Sequence, residues 1–166
     1  DGAYAQRYEL CGVITTLLAL VTLITFGTFG VTLVQFAYGA AYAIPAALVA
    51  LLGLHGAFRI FRSWPQIGFL AAGNTKNLLA ANIMSASGLG FMLMALKLEY
   101  GIVAAALCLV LGECAAVAIS FLLQRGVSPL SNAVSVKFLA IVGAVALAVA
   151  LARLPDFFPP GIAGHF

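Results

Sequence analysis

Glu113 is an acid in the middle of an otherwise apolar run. Between Tyr100 and Leu123 no other Asp, Glu, Lys or Arg occurs. A carboxylate at the centre of a bilayer costs about 2.5–3.5 kcal/mol, so it should face protein or water and have a partner. We therefore expect Glu113 to be either a coupling or cavity site for a proton, cation or polar substrate, or a structural hydrogen-bond acceptor between helices.

Arg59 and Arg62 are the cationic counterpart of this acid. They are three residues apart, which places them on one face of a helix. One interpretation makes both arginines membrane-boundary anchors whose head groups reach the aqueous interface. The other makes them a binding site for an anionic phosphate, for which the guanidinium geometry is well suited.

A row of threonines marks the first apolar segment. Thr22, Thr25, Thr28, Thr32 and Gln35 fall within an arc of about 140° on a helix. Such hydroxyls either bond back to carbonyls of their own helix or line a polar cavity. In the second case Thr25 and Thr32 are the candidate cavity residues.

The residue inventory argues against catalysis. The chain has five acids in 166 residues, and only one of them lies inside an apolar segment. No HExxH, GxSxG or nucleotide-binding loop is present. Cys11, Cys108 and Cys114 lack metal-ligand spacing and are expected to be small buried hydrophobes. We expect no enzyme, metal or cofactor, and the small net charge of +3 does not suggest nucleic acid.

Composition identifies lipid as the solvent for these residues. Hydrophobic residues make up 64% of the chain and charged residues 8%, and the mean hydropathy is +1.14. A soluble domain usually carries about 25% charged residues. The charge-free runs predict an all-α, multi-pass transmembrane bundle in the cell membrane, forming one domain. The predicted spans are 10–34, 41–60, 77–97, 101–124 and 134–153, each near the length of about 20 residues that a bilayer core requires. The second helix has an alternative in which it continues past Arg59 and Arg62 as far as Ala72, with an interruption or kink at Pro65.

Small residues on the predicted helices indicate close packing. In the fourth span they recur every four residues, at Ala104, Cys108, Gly112, Ala116 and Ser120. This is the small-xxx-small pattern by which membrane helices approach each other. We expect this ridge to contact other helices of the chain or of a larger assembly.

The distribution of cations predicts the orientation. With five spans, one side of the membrane holds Arg7, Arg59, Arg62, Lys76, Arg125 and Lys137, and the other holds Lys97 and Arg153. Under the positive-inside rule the N-terminus is cytoplasmic. Trp64, Tyr38, Tyr42 and Tyr100 are expected in the aromatic belts at the membrane surfaces.

The order of motifs from Phe58 to Gly126 resembles a known family. A helix ends in a Gly-x-Thr-Lys turn at Gly73, and the next helix has Asn in its first turns. A Tyr-Gly-Ile-x-x-Ala-Ala turn follows at Tyr100, and the last helix carries the mid-span Glu113. This order is similar to the second half of polysaccharide (O-antigen type) flippases, which share a superfamily with MATE antiporters. The chain has Ala104 where that family usually has a second glycine.

The resemblance implies that the chain is a C-terminal-lobe fragment of a longer transporter. The whole protein would move an oligosaccharide linked to undecaprenyl pyrophosphate across the cytoplasmic membrane by alternating access. Arg59 and Arg62 would bind the pyrophosphate, and Glu113 would serve coupling or line the cavity. Two alternatives stay open: a MATE-type drug or cation antiporter, and a small non-transporting membrane subunit that docks into a larger complex.

Overall fold

The computed structural model describes residues 2–42 and 44–124, together with Lys137, Ala140, Ile141, 143–145, Leu147 and Ala148. These residues form helices and turns, with no strand among them. The described residues include four complete helices: α1 (Gly2–Tyr38), α2 (Ala46–Ala71), α3 (Thr75–Lys97) and α4 (Ile102–Gln124). All four are long and apolar enough to cross a membrane. The all-α prediction is confirmed, and the chain is a multi-pass membrane protein. Most of the fifth predicted span, 134–153, lies outside the described residues.

The helices are arranged in the order α1, α2, α4, α3. The most extensive contacts join α1 to α2 and α3 to α4, and α2 also packs along α4. Between α2 and α3 the contact is small. Helix α2 therefore occupies the centre of the bundle, and the side chains it presents to α4 lie in the protein interior.

Helix α2 continues 11 residues beyond the end of the predicted second span, from 60 to Ala71. It passes through Pro65, which cannot donate a hydrogen bond to the carbonyl four residues earlier. The alternative in which the second helix continues past Arg59 and Arg62 as far as Ala72 agrees with the observed end to within one residue. Arg62 is buried, with 6% of its surface exposed, whereas Arg59 is exposed. The two arginines therefore do not share an environment.

An aromatic cluster joins α1, α2 and α4. Trp64 is fully buried and contacts the rings of Tyr8, Phe61 and Phe121, with centroids 5.5–6.4 Å apart. Its indole Nε1 donates a 3.0 Å hydrogen bond to the backbone carbonyl of Tyr8. A Cβ at Gly12 would lie 2.4 Å from the Trp64 ring, so glycine is needed for this approach. The position of Trp64 at a membrane surface stays a prediction. The structure shows that its ring is packed between helices and that its indole N–H has a backbone partner there. Tyr38, Tyr42 and Tyr100 are exposed.

The turns after α2 and α3 have the same capping geometry. After α2, the Asn74 and Gly73 amides donate to the Phe69 and Leu70 carbonyls, with Gly73 at φ +67°. After α3, the Tyr100 and Glu99 amides donate to the Ala95 and Leu96 carbonyls in the same pattern. Both are Schellman caps, in which a left-handed residue follows the helix. In the second cap Glu99 occupies the left-handed position, at φ +60°.

Glu99→Gly is expected to stabilise the protein by about 1 kcal/mol. A residue with a side chain loses roughly 1–2 kcal/mol in the left-handed region, whereas glycine adopts this conformation at little steric cost. Thermal denaturation in detergent would measure the gain. Gly73→Ala is the matched change in the opposite direction and should lower the melting temperature. Equal melting temperatures for the wild type and Glu99→Gly would show that the positive φ of Glu99 does not destabilise the protein.

Candidate functional site: a buried ion pair between three helices

Glu113 lies in the protein interior at the middle of α4, 11 residues from either end of the helix. Its side chain is fully buried. One carboxylate oxygen, Oε1, accepts a 2.6 Å hydrogen bond from Nε of Arg62 on α2. The other oxygen, Oε2, accepts a short hydrogen bond from the Ser85 hydroxyl on α3. Both oxygens of this acid are therefore engaged, and each bond reaches a different helix.

Arg62 extends the network onto the first turns of α3. Its Nη1 donates to Oδ1 of Asn82 at 3.0 Å and to the Ala81 carbonyl at 3.3 Å. Oδ1 of Asn82 also accepts from Nε2 of Gln66, one turn beyond Arg62 on α2, at 3.2 Å. These bonds account for most of the polar contact between α2 and α3, which otherwise touch little. The ion pair therefore holds three helices together.

The energetic balance of this pair differs from that of a surface salt bridge. Each charge loses its hydration on burial, and the attraction between them compensates for this only when hydrogen bonds satisfy the remaining groups. Here the carboxylate is satisfied by Arg62 and Ser85, and the guanidinium by the carboxylate, Asn82 and Ala81. Within the described residues, Nη2 of Arg62 makes no hydrogen bond. Neither charge can be removed without leaving the other uncompensated.

The cluster has one edge at the bundle surface. Asn82 is exposed and Gln66 is half-buried, whereas Arg62 and Glu113 are buried. Polar groups thus lead from the surface between α2 and α3 to the ion pair. Within the described residues no group of three His, Cys, Asp or Glu side chains could hold a metal ion. The site therefore places a carboxylate and a guanidinium in direct contact inside an apolar bundle.

The other candidate residues lie apart from this pair. Thr25 is half-buried, and Arg59 and Thr32 are exposed. No hydrogen bond joins any of them to Arg62 or Glu113 in the described part of the chain. On the same row as Thr25, the hydroxyls of Thr22 and Thr28 donate to the carbonyls of Leu18 and Ile24 in their own helix, at 2.8 and 2.6 Å. The hydroxyls of Thr22 and Thr28 therefore bond to carbonyls of their own helix, which was the first of the two interpretations of the threonine row.

The ridge of small residues on α4 lies beside the pair. Gly112, Ala116 and Ser120 are buried, and Ala104 and Cys108 are half-buried. A Cβ at Gly112 would lie 2.6 Å from the Cα of Gly88 on α3. The backbones of α3 and α4 therefore meet at this crossing, one residue before Glu113. This approach brings Ser85 within hydrogen-bond distance of the Glu113 carboxylate.

The polar partners of the ion pair were not identified from the sequence. These partners are Ser85 and Asn82 on α3 and Gln66 on α2. Their spacing carried a usable signal, since Arg62 and Gln66 are four apart and Asn82 and Ser85 are three apart. Two polar pairs at helical spacing on consecutive membrane helices, together with a buried acid, indicate a shared polar cluster. Compared with known proteins, the chain matches no protein-family model, no curated protein and no solved structure.

Proposed function

We propose that this chain belongs to the transport lobe of a cytoplasmic-membrane exporter that moves a lipid-linked oligosaccharide. The observation that carries the proposal is the Arg62–Glu113 ion pair buried among apolar helices. Ionisable residues inside membrane bundles are costly, and they commonly mark substrate or proton pathways. The order of motifs around Gly73, Tyr100 and Glu113 supports the flippase class.

In this proposal Arg62 has two alternative anionic partners. Without substrate the guanidinium is held by Glu113, and Nη2 is its remaining donor. A pyrophosphate oxygen that enters past Asn82 and Gln66 would first meet Nη2 and then compete with the carboxylate. Arginine suits this exchange because its donors match two oxygens at once. Glu113, deprived of its cation, would then become the group that takes up a proton.

The location of the pair fits alternating access. It joins α2 to the tightly packed α3–α4 hairpin, and the direct contact between α2 and α3 is otherwise small. Transporters commonly bind substrate near the middle of the bilayer and rock one group of helices against another. Exchange of the partners of Arg62 would loosen the link between α2 and the hairpin. The proposed orientation, with a cytoplasmic N-terminus, follows from the charge distribution.

The non-transporting subunit is the second candidate, and α3 is the feature that favours it. Only Ala81, Gly88 and Ala95 of this helix are buried, while large apolar side chains along it are exposed. The exposed part of α3 that carries Leu79 and Leu93 has room for partner helices in a larger complex. In that case the ion pair would be purely structural. A MATE-type antiporter of cations is less favoured, because the buried acid already has a cation partner in Arg62.

A transport assay of the full-length protein distinguishes the exporter from the non-transporting subunit. In cells that lack their own oligosaccharide flippase, surface polysaccharide would report on the double variant Arg62→Met/Glu113→Leu, which removes both charges and leaves neither unpaired. We expect transport to fall by more than about tenfold, because a hydrogen bond to a charged group is worth about 1.5–3 kcal/mol. Lys76→Gln, an exposed change on α3, should transport normally. If the double variant reaches the membrane in wild-type amounts and transports normally, the pair is structural and the proposal fails.

A further inference from the structure

An open groove of about 500 Å³ runs between α3 and α4. Its walls are long apolar side chains, including Met84, Phe91 and Met94 of α3, Leu98 directly after α3, and Leu111 of α4. Its floor is made of small residues, among them Ala115 and Gly112. The lining hydroxyl of Ser87 donates to the Met84 carbonyl and is thus already satisfied. Hydrocarbon is therefore the chemistry that this groove favours.

The groove has the length of one membrane leaflet. Met84 lies near the middle of α3, and Leu98 follows its last residue. Fourteen residues of helix rise about 21 Å. A bilayer measures about 40–45 Å with its head groups, so half of it is also about 21 Å. A chain lying in the groove would thus extend from the bilayer centre to the head-group region of the leaflet at the C-terminal end of α3.

The charges at the end of the groove suit a phospholipid head group. Tyr100 lines the groove and is 70% exposed, as is typical of the aromatic belt at a membrane surface. Lys97 is exposed and precedes Leu98, a lining residue, in the sequence, so it is the cation available to a phosphate at this end of the groove. Glu99, also exposed, supplies an anion for the amine of a zwitterionic head group.

The wall residues favour a thin occupant over another helix. Membrane helices approach each other closely through Gly, Ala, Ser and Thr. In this groove, by contrast, the small lining residues lie between long, flexible side chains such as those of Met84 and Met94. We propose that this groove binds one acyl chain of a zwitterionic membrane phospholipid, with its phosphate at Lys97. This inference does not depend on the transport proposal.

Filling the groove should remove the lipid. Ala115→Phe places a ring on the floor, and Ala118→Phe places the same ring on an exposed position of α4 outside the groove. Native mass spectrometry of the full-length protein with phosphatidylethanolamine would count bound lipid. We expect Ala115→Phe to weaken binding about tenfold, the change for roughly two methylene groups that lose their burial. Ala118→Phe should bind like the wild type. Equal binding by the two variants would overturn the proposal.

The head-group part has its own test. Lys97→Gln should weaken phosphatidylethanolamine binding by about two- to fivefold, since an exposed ion pair contributes up to about 1 kcal/mol. Lys76→Gln, at the opposite end of α3, should have no effect. If Lys97→Gln and Lys76→Gln bind alike, the phosphate is not at Lys97. If Cys108, which lines the groove, crosslinks to another protein chain in membranes, a protein and not a lipid occupies the groove.

Discussion

Arg62→Met is expected to lower the free energy of unfolding by about 3–5 kcal/mol, the usual cost of breaking a buried ion pair from one side. The methionine fills much of the space of the arginine, so the loss comes mainly from the carboxylate of Glu113. That group would stay fully buried with Ser85 as its remaining donor. Asn82 and the Ala81 carbonyl would lose their partner as well. Unfolding of the purified protein in detergent or bicelles, followed by thermal or denaturant titration, would measure the change.

The double variant Arg62→Met/Glu113→Leu is the decisive control for this prediction. Replacing both members of a buried pair by apolar residues of similar volume is often neutral or stabilising. We therefore expect the double variant to recover most of the stability lost in Arg62→Met. Arg59→Met, three residues earlier on the exposed side of α2, should change stability by less than about 0.5 kcal/mol. If Arg62→Met and Arg59→Met unfold alike, the ion pair does not contribute to stability.

Gly112→Ala should destabilise the protein by about 1–3 kcal/mol, the range for overfilling a packed interior. The added methyl group would lie 2.6 Å from the Cα of Gly88 and 2.9 Å from its backbone nitrogen. These are backbone atoms, so relief requires α3 and α4 to separate. Separation would also draw Ser85 away from the Glu113 carboxylate. A lower melting temperature would report the first effect, and infrared spectroscopy of the carboxylate would report the second.

Gly90→Ala is the matched control for this crossing. Gly90 lies two residues from Gly88 on α3, and a Cβ there would meet nothing within 4 Å. Alanine favours a helix over glycine by about 1 kcal/mol, so this variant should be as stable as the wild type or more so. A Gly112→Ala protein as stable as Gly90→Ala would show that the two helices do not meet backbone to backbone.

Helices α3 and α4 could be predicted from the sequence because the apolar run that contains each of them is about as long as a bilayer core requires. The bounds of α3 and α4 lie within two residues of the predicted spans 77–97 and 101–124. The sequence left the end of α2 open between residue 60 and Ala72, and the helix ends at Ala71. Hydropathy alone does not choose between these two ends. It counts Arg62 as a cost and cannot register that Glu113, far along the chain, compensates for that cost.

The sequence predicts that the buried acid Glu113 needs a partner, but it does not identify the residues that act as partners. Insertion energetics required a partner for Glu113, and this is why the acid was singled out. Identification of Arg62 as that partner requires the packing of α2 against α4, which local periodicity does not encode. The same limit applies to Arg59 and Arg62, whose shared face follows from their spacing. Which arginine is buried depends on the exact rotation of α2, and the aromatic cluster around Trp64 helps to set it.

The sequence separation of the ion pair has a consequence for how the protein is made. Arg62 and Glu113 are 51 residues apart. During synthesis α2 reaches the insertion machinery before α4 has been translated, so Arg62 faces the bilayer without its counter-ion. An arginine at the centre of an inserting helix costs about 2.5–3.5 kcal/mol on the insertion scale. We expect α2 to stay beside the translocon until α4 arrives, so that the helices enter the lipid as a group rather than one at a time.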